Sequence, residues 1–137
     1  MFPVGWARSA RQRRGFTLIE LVVVLAILGV LLSIAVPRYL GARKAAYKTE
    51  ADNVLQEIRT LEWSYYQQYN LFDTSGTSIG FATPGGMHWA APSFGGTANQ
   101  SVQMLLSGCA ACSPIQTTDS LSVLLFSDGS SASGSTF

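Results

Sequence analysis

Arg13-Arg14-Gly15-Phe16-Thr17-Leu18-Ile19-Glu20, continued without another charge from Leu21 to Val36, decides how this 137-residue chain is organised. A basic stretch meets an apolar run that carries one carboxylate near its start. From Phe16 to Val36 the chain would form about 31 Å of helix, enough to cross the hydrocarbon core of a bilayer. A plain anchor has no use for Glu20, because a charge in the middle of a bilayer costs ~2.5–3.5 kcal/mol even on insertion scales. Something must compensate it. Thr17-Leu18-Ile19-Glu20 fits a capping box, in which Thr17 and Glu20 satisfy helix-start amides reciprocally, and a first-turn carboxylate also gains from the helix dipole. Capping explains why a Glu is tolerated there without giving it a task.

Charge is split along the chain. The first fifteen residues hold Arg8, Arg11, Arg13 and Arg14 and no acid; beyond them Arg38, Arg43, Lys44, Lys48 and Arg59 face all eight acids. The near-neutral total thus hides a leader of +4 and a remainder of −3. The bases form no stripe on the part that would fold, which argues against direct nucleic-acid binding. No nucleophile–base pair stands out, with Asp119 and Asp128 in a loop and a turn, so an enzyme is not expected. Around the apolar run the basic count is tied, four leader arginines against Arg38, Arg43, Lys44 and Lys48. Charge alone therefore does not orient it in a membrane.

Pro37 ends the apolar run and, lacking an amide proton, should kink or loosen a helix there. Helical patterning resumes beyond it: Tyr47, Ala51, Val54, Leu55, Ile58, Leu61, Tyr65 and Tyr69 recur at three- and four-residue steps, ending near Tyr69-Asn70. From Asp73 onward Gly, Ser, Thr and Pro punctuate short apolar runs. Thr83-Pro84-Gly85-Gly86 and Phe94-Gly95-Gly96 read as turns or loops. Candidate strands are Ile79–Thr83, Met87–Ala91, Val102–Leu106 and Ser120–Ser127. The tail Ser130–Thr136 is small and polar and reads as flexible. The expected fold class is α+β: a long N-terminal helical spine, half apolar and half amphipathic, packed on a small antiparallel β-sheet head. Its divisions are a leader at 1–15, an apolar half-helix at 16–37, an amphipathic half-helix at 38–70 and a β-rich head at 71–137.

Cys109 and Cys112 are the only cysteines and His88 the only histidine. A Cys-x-x-Cys pair suits a small structural disulfide, a redox motif or half of a zinc site. Four zinc ligands are not at hand, and Ser113-Pro114 offers no helix start for redox chemistry, which favours the disulfide. No metal or cofactor is expected.

The junction Gly15-Phe16-Thr17-Leu18-Ile19-Glu20, with its basic leader and long apolar helix, resembles the N-terminus of type IV prepilins with a class III leader, and of their relatives, the type II secretion pseudopilins. The likeness runs over roughly residues 8–60. It implies cleavage of the Gly15–Phe16 bond by a membrane prepilin peptidase, N-methylation of Phe16 by the same enzyme, and a leader left in the cytoplasm. It implies that Glu20 meets the free amine of Phe16 on a neighbouring subunit and sets axial register as the fibre grows. Gly29 and Pro37 fall where pilins place helix-weakening residues, although both are also ordinary in membrane helices. The implied partners are identical subunits in a helical homopolymer, the peptidase–methyltransferase, the assembly machinery with its minor pilins, the membrane before assembly, and DNA at the level of the whole fibre. The implied location is the inner membrane as a single-pass precursor, then an extracellular fibre.

The function expected is a structural pilus subunit serving adhesion, twitching motility or DNA uptake. Alternatives are a type II secretion pseudopilin or minor pilin and, from a different class, an anchored or secreted binding domain in which Trp63, Tyr66, Trp89 and Phe94 would line a ligand site.

Overall fold

The computed structural model describes residues 15–137, so the leader arginines Arg8, Arg11, Arg13 and Arg14 lie outside the described residues. One α-helix, α1, runs over Leu18–Tyr69 and passes through Pro37 without a break in its assignment. The proline withholds the amide that would have bonded the Ser33 carbonyl, and the helix continues past that single missing bond. At the far end Asn70 turns into the left-handed region at φ 54°, and its N–H reaches the Tyr66 carbonyl at 2.8 Å. That is how a helix without a C-terminal glycine closes its last turn.

The chain divides into two compact units after Tyr39. In the first, the described residues are Gly15, Phe16, Thr17 and the start of α1. The second holds the rest of α1 and an antiparallel sheet of β1 (Ser93–Thr97), β2 (Ser101–Ser107), β3 (Ser120–Phe126) and β4 (Ser131–Ser135), in the order β1-β2-β3-β4. Alternation is strict in the two inner strands. Val102, Met104 and Leu106 of β2 and Leu121, Val123 and Leu125 of β3 point to one face and are buried. Ala51, Val54, Leu55 and Ile58 of α1 join them in one core, with Phe72, Ile79, Trp89, Cys112 and Ile115 closing its rim. The helix and sheet together are the expected α+β arrangement.

Two of the expected strands are not strands. Ile79–Thr83 and Met87–Ala91 lie in the irregular stretch between α1 and β1, where Gly80 and Gly86 adopt positive φ and Pro84 interrupts. Their apolar residues still reach the core, because side chains fasten the loop to α1. Trp89 Nε1 donates to the Tyr47 carbonyl at 2.9 Å, and the His88 amide and Nδ1 each meet the Glu50 carboxylate at 3.1 Å. Conversely, Phe94-Gly95-Gly96, expected as a turn, is the body of β1. Gly96 passes so close to β2 that a β-carbon there would run into the Ser101 carbonyl, so the glycine fits the strand rather than ending it. The tail expected to be flexible forms β4, paired residue for residue with β3 (Leu121↔Ser135, Val123↔Ser133) although all five of its residues are exposed. The turn before it is set by Gly129 at φ 84° and by Asp128 Oδ1, which accepts the Ser130 amide at 2.8 Å.

Candidate functional site

Thr17 caps α1. Its Oγ1 accepts the Glu20 amide at 3.3 Å, and its carbonyl accepts the Leu21 amide at 3.3 Å. This is half of the expected capping box. The Glu20 side chain makes no return bond, and among the described residues its carboxylate has no partner. It projects from the first helical turn into the open, one turn beyond Phe16, which is itself 79% exposed. Macrodipole attraction and the start of the helix hold a charge there cheaply in water, but not in an apolar medium.

The residues beyond Glu20 give the site its character. Every residue from Gly15 to Ala46 is exposed. From Leu21 to Val36 the large side chains are apolar, Leu21, Val22, Leu25, Leu28, Leu31, Leu32 and Ile34 among them, and they cover all sides of the helix. A helix apolar all round belongs inside something, whether a lipid bilayer or a bundle of helices. Each such side chain gains roughly 1.5–3 kcal/mol when fully removed from water. Ser33 does not spoil this surface, since its hydroxyl donates back to the Val30 carbonyl at 2.7 Å. At Gly29 a β-carbon would meet nothing within 4 Å, so the residue is open on its outer side. Gly29 and Pro37 both lie within α1.

Cys109 and Cys112 are brought together as a disulfide in the loop between β2 and β3, with Cα atoms 5.0 Å apart. The Cys112 amide bonds the Cys109 carbonyl at 3.0 Å, and Asp119 Oδ2 holds the Gln116 amide at 2.9 Å, so the loop is small and self-braced. The aromatics of the binding-domain alternative do not gather into one site. Trp89 is buried with its ring nitrogen on Tyr47, while Tyr66 stacks between Trp63 and Phe72 at centroid distances of 5.6 and 4.4 Å.

One pair of acids escaped the sequence reading. Glu62 is fully buried on the core face of α1, and its Oε2 accepts the Asp73 amide at 3.1 Å while Oε1 has no partner. Burial, joined by the Asp73 carboxylate, raises the Glu62 carboxyl from its ordinary 4.5 to about 7, against the lowering effect of the Asp73 amide. Asp73 moves the other way. Burial acts to raise it, but donors from Ser75 and Ser78 outweigh burial and hold it below the usual carboxylate range. A signal for Glu62 was present: it continues the step Ala51, Leu55, Ile58, which makes it the one carboxylate on the buried face.

Comparison with known proteins bears on the N-terminal part. Residues 10–36 match the prokaryotic N-terminal methylation motif. The chain is 35% identical over 76 residues to the type IV major pilin protein PilA of Myxococcus xanthus, covering 56% of this chain and 34% of that protein. It is 35% identical over 72 residues to the type IV major pilin protein PilE1 of Neisseria gonorrhoeae, covering 53% and 44%. It is 51% identical over 61 residues to the type II secretion system core protein G of Dickeya chrysanthemi, covering 44% and 37%. The chain thus spans between a third and under a half of the length of these relatives. No solved structure matches it. Over its N-terminal part the chain is thus similar to type IV pilins and to the type II secretion pseudopilins, and its apolar helix exposed on every side and its α+β head accord with that likeness.

Proposed function

We propose that this chain is the structural subunit of a type IV pilus. A prepilin peptidase cuts between Gly15 and Phe16 and methylates the new amine of Phe16. The apolar half of α1 keeps the subunit in the inner membrane until assembly machinery draws it into a helical fibre. There the same surface packs against identical helices, and the head faces outward. The observation that carries this reading is the complete exposure of an apolar helix that begins with one unpartnered carboxylate. Membrane and fibre core each supply the apolar surroundings, and the amine of Phe16 on a neighbouring subunit supplies the charge that Glu20 lacks. In low dielectric that pairing offsets two burial costs, and removing one partner strands the other. The stretch from Gly29 to Pro37 is where the helix would yield during extraction, having a residue without a side chain at one end and a missing amide at the other. Adhesion, twitching motility and DNA uptake are the activities open to such a fibre.

A pseudopilin of type II secretion is the second reading, favoured by the 51% identity to core protein G over 61 residues. Asp73, Asp119 and Asp128 are each occupied with nearby amides, and among the described residues no three metal-binding side chains converge.

Mass spectrometry of the mature chain from its host, combined with a Glu20→Ala variant, tests the proposal. The expected outcome is a mature N-terminus at methylated Phe16 in both proteins, with fibre yield reduced at least ten-fold in the variant. An uncut leader would overturn the processing step, and normal fibres from the variant would overturn the role of the carboxylate.

A further inference from the structure

Glu62 stands where the end of α1 meets the loop beyond it. Its Oε2 takes the amide of Asp73. Asp73 in turn organises the loop, with Oδ1 accepting the Ser75 amide at 3.0 Å and the Ser75 hydroxyl at 2.6 Å, and Oδ2 accepting the Ser78 amide. Next to this knot Phe72 lies on the Tyr66 ring and gives its amide to the Ala98 carbonyl at 2.7 Å, while Ile79 enters the core. One buried carboxyl of α1 therefore fastens a whole loop, and half of that carboxyl, Oε1, is sealed from solvent without a donor.

We propose that Glu62 is a proton-operated latch, closed when its carboxyl is protonated and loosened when it ionises. Protonated, the group is neutral, so Oε1 can stay buried at modest cost while Oε2 still receives the Asp73 amide. Ionised, it becomes a charge in a dry site with one oxygen unsatisfied and a second carboxylate beside it, and hydration then requires the loop to lift. Among the described residues no base acts on it to relieve this. The four strands contain no ionisable side chain; the loop between α1 and β1 contributes Asp73 and His88, and His88 is turned to the Glu50 carboxylate at 3.1 Å. On α1 itself Arg59 is turned to Gln56 Oε1 at 3.5 Å, Tyr66 is held against Phe72, and Tyr65 lies against Tyr69.

The direction of the effect is set by where the proton is held. In the closed loop the carboxyl keeps its proton up to about pH 7, whereas a hydrated glutamate releases it near 4.5. The latch is therefore fully closed below about pH 4.5, and its hold is progressively lost as pH rises to about 7. Hydrogen–deuterium exchange on the full-length chain in detergent micelles, expressed as protection factors, reads this directly. Protection over residues 73–79 should fall on the order of a hundred-fold between pH 5 and pH 8 in the wild type. Glu62→Gln keeps an oxygen for the Asp73 amide but cannot ionise, and should remain flat. A flat wild-type profile, or an equal fall in the variant, overturns the latch. Should the variant not fold, the carboxyl-carbon NMR titration of Glu62 in the wild type decides. A midpoint near 7 that tracks the loss of protection sustains the proposal, and one near 4.5 overturns it.

Discussion

The two halves of α1 are one helix with opposite relations to their own apolar residues. Between Leu18 and Val36 the apolar side chains lie on every side and all stay exposed. Between Tyr47 and Tyr69 they are confined to a stripe, and Ala51, Val54, Leu55 and Ile58 are buried against the sheet. The second half satisfies its hydrophobic surface inside the chain, and the first leaves it exposed. If the exposed half associates as proposed, folding of the head and association of the spine are separable properties of one helix.

Substitution of matched leucines should break or sharpen that separation most strongly. Leu55, 1% exposed, fills the space between α1 and β3; Leu25, 58% exposed, touches no core. Leu55→Ala should lower the stability of the head by about 2–5 kcal/mol, and Leu25→Ala should leave it within ~0.5 kcal/mol. Chemical denaturation of the full-length protein in micelles, followed by near-ultraviolet circular dichroism, measures both. Equal losses would mean that the exposed half of α1 supports the head after all.

Glycine gives a second matched pair with a smaller effect. Gly108, just after β2, lies so close to the Gln116 backbone that a β-carbon would overlap its carbonyl oxygen, and its own amide bonds Asp119 at 2.8 Å. Backbone cannot swing aside as a side chain can. Gly108→Ala should therefore cost about 1–3 kcal/mol of head stability. Gly29, open on its outer side, should accept alanine with a gain in helix propensity of up to ~1 kcal/mol. If the stretch from Gly29 to Pro37 must yield during extraction, that gain should appear as slower fibre assembly with head stability unchanged. Faster assembly would contradict a yielding stretch.

How much of this was legible in the sequence differs between the same regions. The start of the spine is local chemistry: a basic leader, Gly15-Phe16, a capping threonine and a carboxylate three residues on. It could be read residue by residue because its meaning does not depend on distant chain. The inner strands were legible for a similar reason, since Val102 to Leu106 and Leu121 to Leu125 alternate with period two. The edge strands were not. Ser131–Ser135 has no apolar alternation, and β1 is rich in glycine, so both owe their form to backbone pairing with a neighbour that no local window contains. Glu62 failed for a related reason. A glutamate on a helix is ordinarily solvated, and only the folded position of the Asp73 amide makes this one a buried fastener. The stripe was also read slightly out of phase. It passes through Glu62 and Tyr66, while Tyr69 is left 53% exposed.

The smallest expected effect tests whether Thr17 matters to the helix or only to the motif. Its hydroxyl accepts one amide, that of Glu20, at 3.3 Å, toward the long end for such a bond. Thr17→Ala should cost about 1 kcal/mol at the helix start, seen as roughly five-fold faster exchange of the Glu20 amide with the head unaffected. Thr17→Ser, which keeps the oxygen, should restore the wild-type rate. If alanine and serine behave alike, the hydroxyl is not a working cap, and the exposed carboxylate of Glu20 stands at the helix start with the macrodipole as its sole local support.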